Sequence, residues 1–176
     1  MNRPTKNEYA DKYASYVEMV PEGQIMDILE KQRKDILQRL SNLTEAQAEF
    51  RYAPGKWSIK EVIGHLADTE RYMTYRLFCI ARGEKAQLPG HDQDEFVKEA
   101  MFESYPVITL IEDYVSVRNS TVQLLKNLRN DVWINWGDAN GCPVTVRALA
   151  FIIAGHELHH VKILTERYFQ DNDFPA

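Results

Sequence analysis

Ala154-Gly155-His156-Glu157-Leu158-His159-His160-Val161 admits two readings that demand different folds. Letter for letter, residues 156–160 spell H-E-x-x-H, the zinc-protease signature in which Glu157 is the general base. That enzyme also needs a third ligand downstream and an edge strand beside the substrate. Only 16 residues follow His160. Glu166, the one downstream acid on the helix, lies about a turn and two-thirds away on another face. In the other reading the stretch is simply helix. Residues i and i+4 share one helical face, so His156 and His160 can offer two imidazole nitrogens to one ion. The protease spelling is then a coincidence of a histidine-rich helix.

The surroundings favour helix. Apolar residues recur at helical spacing along the chain, and no stretch shows sustained strand alternation. Thr145 is a plausible N-cap for the last helix, which should run to about Phe169. Asn140-Gly141-Cys142-Pro143 breaks the chain before it. A second long helix opens on the capping box Ser58-Ile59-Lys60-Glu61 and should end near Arg82, at Gly83. A third follows Pro106 and runs to about Leu128, with Ile108, Ile111, Val115, Val122 and Leu125 inward. The first follows Pro21-Glu22-Gly23 and runs to about Ser41. Thr44-Glu45-Ala46-Gln47 is another capping box, heading a short helix.

Four helices of about 20 residues predict an all-α fold, a four-helix bundle. The chain reads as one domain, 1–176, with the first ~20 residues a packing extension. There Tyr9, Tyr13 and Tyr16 stand at helical spacing, as rings packed on the bundle or as an aromatic wall beside a site. The link over residues 82–106 is long enough to cross the end of the bundle or to carry a functional loop.

Helical periodicity supplies a third histidine. Ile59, Val62, Ile63, Leu66, Met73, Leu77 and Ile80 form one stripe, and His65 lies at its edge. On the last helix Val146, Leu149, Ala150, Ile153 and Leu164 define the inner face. His160 falls within that face, His156 at its edge, and His159 on the flank. His65, His156 and His160 would give three neutral donors and an open position, the pattern of a catalytic metal site. Zinc, nickel, cobalt and iron all suit such donors. Alone, His65 is an ordinary boundary histidine; with the pair it reads as a ligand. His91 reads as a surface residue of a loop. Glu70 and Glu157 both project inward, where carboxylates need a partner. They are either orienting partners of histidine N–H groups, a general base, or members of ion pairs with Arg71, Arg76, Arg147 or Arg167. Asp68 lies off the stripe and reads as solvated.

Composition sets the outer limits. The 176 residues are 44% hydrophobic and 27% charged, with a formal net charge of −5. The acidic balance and the lack of a basic run argue against nucleic acid as a partner. No apolar run is long enough for a membrane helix, and the N-terminus lacks the apolar core of a secretory signal. Cys79 and Cys142 form no disulfide framework, which makes a cytoplasmic location the default.

The chain also resembles the DinB/YfiT-like superfamily of four-helix-bundle metalloenzymes. The resemblance rests on Tyr52-Ala53-Pro54-Gly55-Lys56-Trp57-Ser58 through His65 to Arg71, on Leu88-Pro89-Gly90-His91-Asp92-Gln93-Asp94, and on Asn140-Gly141 through Thr145 to His160. It implies a bundle with crossover connections and one divalent ion, nickel or zinc, on His65, His156 and His160. It also implies a homodimer and a small-molecule substrate. Activities in the family suggest a transferase that joins a low-molecular-weight thiol to an electrophile. The alternatives are a metal-dependent hydrolase that activates water, with Glu157 or Glu70 relaying protons, and a non-catalytic, stress-related metal-binding bundle.

Overall fold

The computed structural model describes residues 2–176. Among them are seven α-helices: α1 (Ala14–Met19), α2 (Ile25–Leu40), α3 (Glu45–Ala48), α4 (Ile59–Ala81), α5 (Gln93–Ala100), α6 (Val107–Lys126) and α7 (Val146–Ile163). Capping side chains fix several starts. Ser58 Oγ accepts the Glu61 N–H at 3.2 Å while the Glu61 carboxylate accepts the Ser58 N–H at 2.7 Å. Thr44 and Gln47 repeat the arrangement at α3. Thr145 Oγ1 accepts the Ala148 N–H at the head of α7. Each cap satisfies a backbone donor that the helix leaves open, worth about 1 kcal/mol.

The long helices form the expected bundle. α2 packs against α6 and α7, and α4 packs against the same two. Successive bundle helices α2 and α4 therefore stand on one diagonal, and α6 and α7 on the other. This order makes α4 and α7 neighbours, which brings their histidines together. The link over residues 82–106 carries α5 and a short strand rather than open loop.

Two expectations are corrected. The chain does contain a small sheet: β1 (Gln87–Leu88), β2 (Trp136–Ala139) and β3 (Cys142–Thr145), with β1 parallel and β3 antiparallel to β2. Asn140-Gly141 is not a mere break but the turn of the β2–β3 hairpin, with φ of 58° and 73°. Asn-Gly tolerates positive φ at both positions and is a strong hairpin signal. The strands are too short to show a period of two. On α6, Ile108 is 53% exposed, and the buried face holds Leu110, Ile111, Tyr114, Arg118, Thr121, Val122 and Leu125. Polar residues on that face pulled the hydrophobic reading away from its true centre.

The N-terminal segment does pack on the bundle, α1 lying along α7. A Cβ built on Gly155 would sit 2.0 Å from the Tyr16 carbonyl oxygen, so only glycine permits this approach. Buried Glu8 ties the segment down by accepting bonds from Arg147 Nε at 2.6 Å and Thr145 Oγ1 at 2.8 Å. Burial alone would raise the Glu8 pKa; bonds from Arg147, Thr5 and Thr145 outweigh it and hold the carboxyl at about 2.

Candidate metal centre

His65 on α4 meets His156 and His160 on α7. One ring nitrogen from each lies within 4.8 Å of the other two, and all three residues are buried. His65 Nε2 and His156 Nε2 are 3.1 Å apart. With metal–nitrogen bonds of about 2.1 Å, adjacent ligands of a tetrahedral or octahedral ion stand about 3.0–3.4 Å apart, so this spacing fits. Thr69, one turn beyond His65, places Oγ1 3.3 Å from His65 Nδ1. A proton on Nδ1 leaves Nε2 as the lone-pair donor toward His156.

Electrostatics keep these rings neutral. Burial lowers the His65 pKa to about 4 and that of His160 to about 3, with neighbouring histidines pushing the same way. His156 is held well below the usual range by burial and by His160 and His65. Neutral imidazole is the form that binds metal, so burial keeps the trio in a state that could hold an ion.

Directly behind the trio lies a buried ionic hub. Arg118 on α6, 0% exposed, donates from Nε and Nη2 to the Glu70 carboxylate at 2.8 and 2.7 Å. Its Nη2 also lies 2.6 Å from Glu157 Oε2, and Nη1 reaches the Leu29 carbonyl at 3.3 Å. The Tyr114 hydroxyl donates to Glu157 Oε2 at 2.6 Å. One guanidinium thus joins α2, α4, α6 and α7. Burial raises the Glu157 pKa, against the opposing pull of Arg118 and Tyr114. A cavity too small for more than about one water separates the hub from His156; Thr69, Glu70, His156 and Glu157 line it.

A larger recess, about 390 Å³, opens beside His160 and includes Tyr52, Trp57 and Tyr168 in its walls. The Trp57 ring lies 4.7 Å from the His65 ring, centroid to centroid. On another side Tyr16 sets its ring edge-on to His156 and His159, at 5.6 and 5.4 Å. A still larger groove between α4 and α6, near Tyr75 and Phe78, holds no histidine or acidic residue.

The trio read from periodicity is therefore brought together. His159 is absent from it and lies half-buried against Tyr16. His91 is also outside it, but is half-buried rather than a free surface residue, its ring 4.3 Å from that of Tyr72. Asp68 is part-exposed and bonds to Arg71, which also pairs with Asp113. Glu70 and Glu157 are ion-paired, but the expected partners are wrong. Arg71 faces the two aspartates, Arg76 donates to the Pro89 carbonyl and Arg147 holds Glu8; Arg118 is the partner. Sequence reasoning also missed Tyr114 and Trp57. The available signal was a pair of inward carboxylates, for which a buried cation is one way of satisfying both.

The chain is thus a four-helix bundle of diagonal order that brings three neutral histidines together on two adjacent helices. The chain belongs to the DinB superfamily, whose family model matches residues 28–164. Among solved structures it is similar to YfiT from Bacillus subtilis, with a TM-score of 0.74 and 16% identity over 94% of this chain and 90% of that one. YfiT is described as a probable metal-dependent hydrolase with an unusual four-helix-bundle topology. At that identity the likeness concerns the fold. No curated protein matches the sequence. Among the described residues no helix is long and apolar enough to cross a membrane.

Proposed function

We propose that this chain is a divalent-metal-dependent enzyme with His65, His156 and His160 as ligands. The convergence of three buried, neutral imidazoles beside an open recess carries the reading. Three nitrogen donors with room for a further ligand suit catalysis better than a closed structural site. Nickel or zinc fits the donors. A divalent ion there would supply Lewis acidity, lowering the pKa of a thiol or water in the recess.

The chain's own residues prepare that chemistry. Thr69 Oγ1 can accept a hydrogen bond from a proton carried on His65 Nδ1, which would leave Nε2 free for the ion. Trp57 and Tyr16 brace the imidazoles from two sides. Glu70 and Glu157 stand behind the trio, bound to Arg118, so neither is free to serve as a base. This arrangement favours a nucleophile that needs no strong base. A low-molecular-weight thiol, with a pKa of about 8.5, loses its proton to solvent once its pKa falls by about a unit or two. We therefore favour S-transfer from such a thiol to a small electrophile. Hydrolysis is the second reading, supported by the description of YfiT. A homodimer belongs to the same reading, and sedimentation velocity tests it.

Metal analysis of untagged protein, purified without added metal, should find about one ion per chain, lost in His65→Ala. Metal that persists in His65→Ala would break the trio. Loaded protein is then assayed with thiols plus a model electrophile and, separately, with esters and amides. Turnover in the first set alone supports transfer; turnover in the second alone supports hydrolysis. Silence in both, with unfolding on chelation, would instead indicate a structural metal.

A further inference from the structure

The recess beside His160 carries more information than its position. Tyr52, Trp57, Val62, Ile163 and Tyr168 give it apolar and aromatic walls. Its two charges, Lys56 and Asp94, are exposed and opposite in sign. No arginine lines it, and its single lysine is balanced by Asp94, so the lining carries no net charge. Its volume lies near the lower end of the usual range for ligand pockets, about 300–1,000 Å³.

The rings are fixed from within the fold. Trp57 immediately precedes the Ser58 cap of α4, and its indole lies against His65. The Tyr168 hydroxyl donates to the Trp57 carbonyl at 2.7 Å. Tyr52 sits edge-on to Tyr168, with centroids 4.9 Å apart. Tyr168 arrives there because α7 widens into a π-helical turn over Leu164–Tyr168, about one turn after the last histidine. Such turns recur at functional sites, where they redirect side chains. Walls ordered in advance spare a ligand the cost of ordering them.

We infer that this recess receives a flat aromatic or conjugated group of the substrate, next to the atoms that reach the histidines. The inference rests on the metal reading above. A saturated chain would lose the ring contacts that part-exposed Tyr52 and Trp57 offer, with buried Tyr168 packed against Tyr52.

Hydroxamates test it without turnover, because their head group chelates a metal while the tail varies. Benzohydroxamate and acetohydroxamate are titrated by calorimetry into zinc- or nickel-loaded protein, with binding to the free ion as reference. Benzohydroxamate should bind at least about ten-fold tighter than acetohydroxamate, beyond their ratio on the free ion. Trp57→Ala should bring the two affinities together, and bound metal is measured in the same samples because Trp57 also packs on His65. Tyr52→Leu, a change on a part-exposed wall, should narrow the gap if Trp57→Ala does not fold. Equal affinities in the wild type would overturn the inference, as would an aryl preference that survives both substitutions. Loss of both hydroxamates together with loss of bound metal would instead strike the metal reading on which the inference rests.

Discussion

Replacing Arg118 by methionine would leave the carboxylates of Glu70 and Glu157, 4% and 2% exposed, without their cation. A broken buried pair of this kind costs about 3–5 kcal/mol, mostly from the charge left behind. Urea unfolding of Arg118→Met should show a loss of that size, and adding Glu70→Gln with Glu157→Gln should recover much of it. Glu157→Gln alone should retain stoichiometric metal and keep turnover within about three-fold, because the carboxylate is already committed to Arg118 and Tyr114. Turnover that collapses while metal stays bound would make Glu157 a proton carrier after all. The trio was legible in the sequence because His65 and His156 stand at the edge of an apolar stripe and His160 within one. Arg118 was not: a lone arginine on a mostly apolar helix reads as solvated, and sequence does not say which cation two inward acids will find.

Among the elements, the seam between α1 and α7 makes a sharp prediction. Gly155→Ala would drive a methyl into the Tyr16 carbonyl, where backbone rather than a flexible side chain must yield. The expected cost is about 1–3 kcal/mol, concentrated in the N-terminal segment. Hydrogen exchange should speed up across Ala14–Met19 while the amides of α4 keep their protection. The helices themselves were readable, since capping boxes and Gly83 mark their ends and 3.6-residue periodicity fills the middle. The sheet was not, because two to four residues per strand cannot show alternation. Its one local signal was Asn140-Gly141. The rotation of α6 was misjudged because Tyr114, Arg118 and Thr121 lie on the buried face, and a count of apolar residues gives them no weight.

For the whole molecule, acid should act through the histidines. The pKa of His65 falls from the ordinary 6.5 to about 4 and that of His160 to about 3. Between 6.5 and those values the unfolded chain binds more protons than the folded one. Unfolding free energy then declines as pH drops through this window, and this contribution levels off below it. The melting temperature of metal-free protein, followed from pH 7.5 to 4, should fall accordingly, and His160→Ala should flatten the slope. Metal acts in the opposite direction: at a free concentration of 100 times its dissociation constant it should add about 2.7 kcal/mol, measurable as a chelator-reversible rise in melting temperature. The diagonal order of the bundle has a kinetic consequence. Because α2 and α4 do not lie side by side, the first two long helices to be made cannot zip together as a hairpin. Their stabilising partners, α6 and α7, come much later in the chain, and contacts between distant segments slow the search for the native state. Refolding from urea should therefore be slower than for bundles whose successive helices are neighbours. An ion added at the start should leave that rate nearly unchanged, since its ligands meet only after the chain has closed across both diagonals.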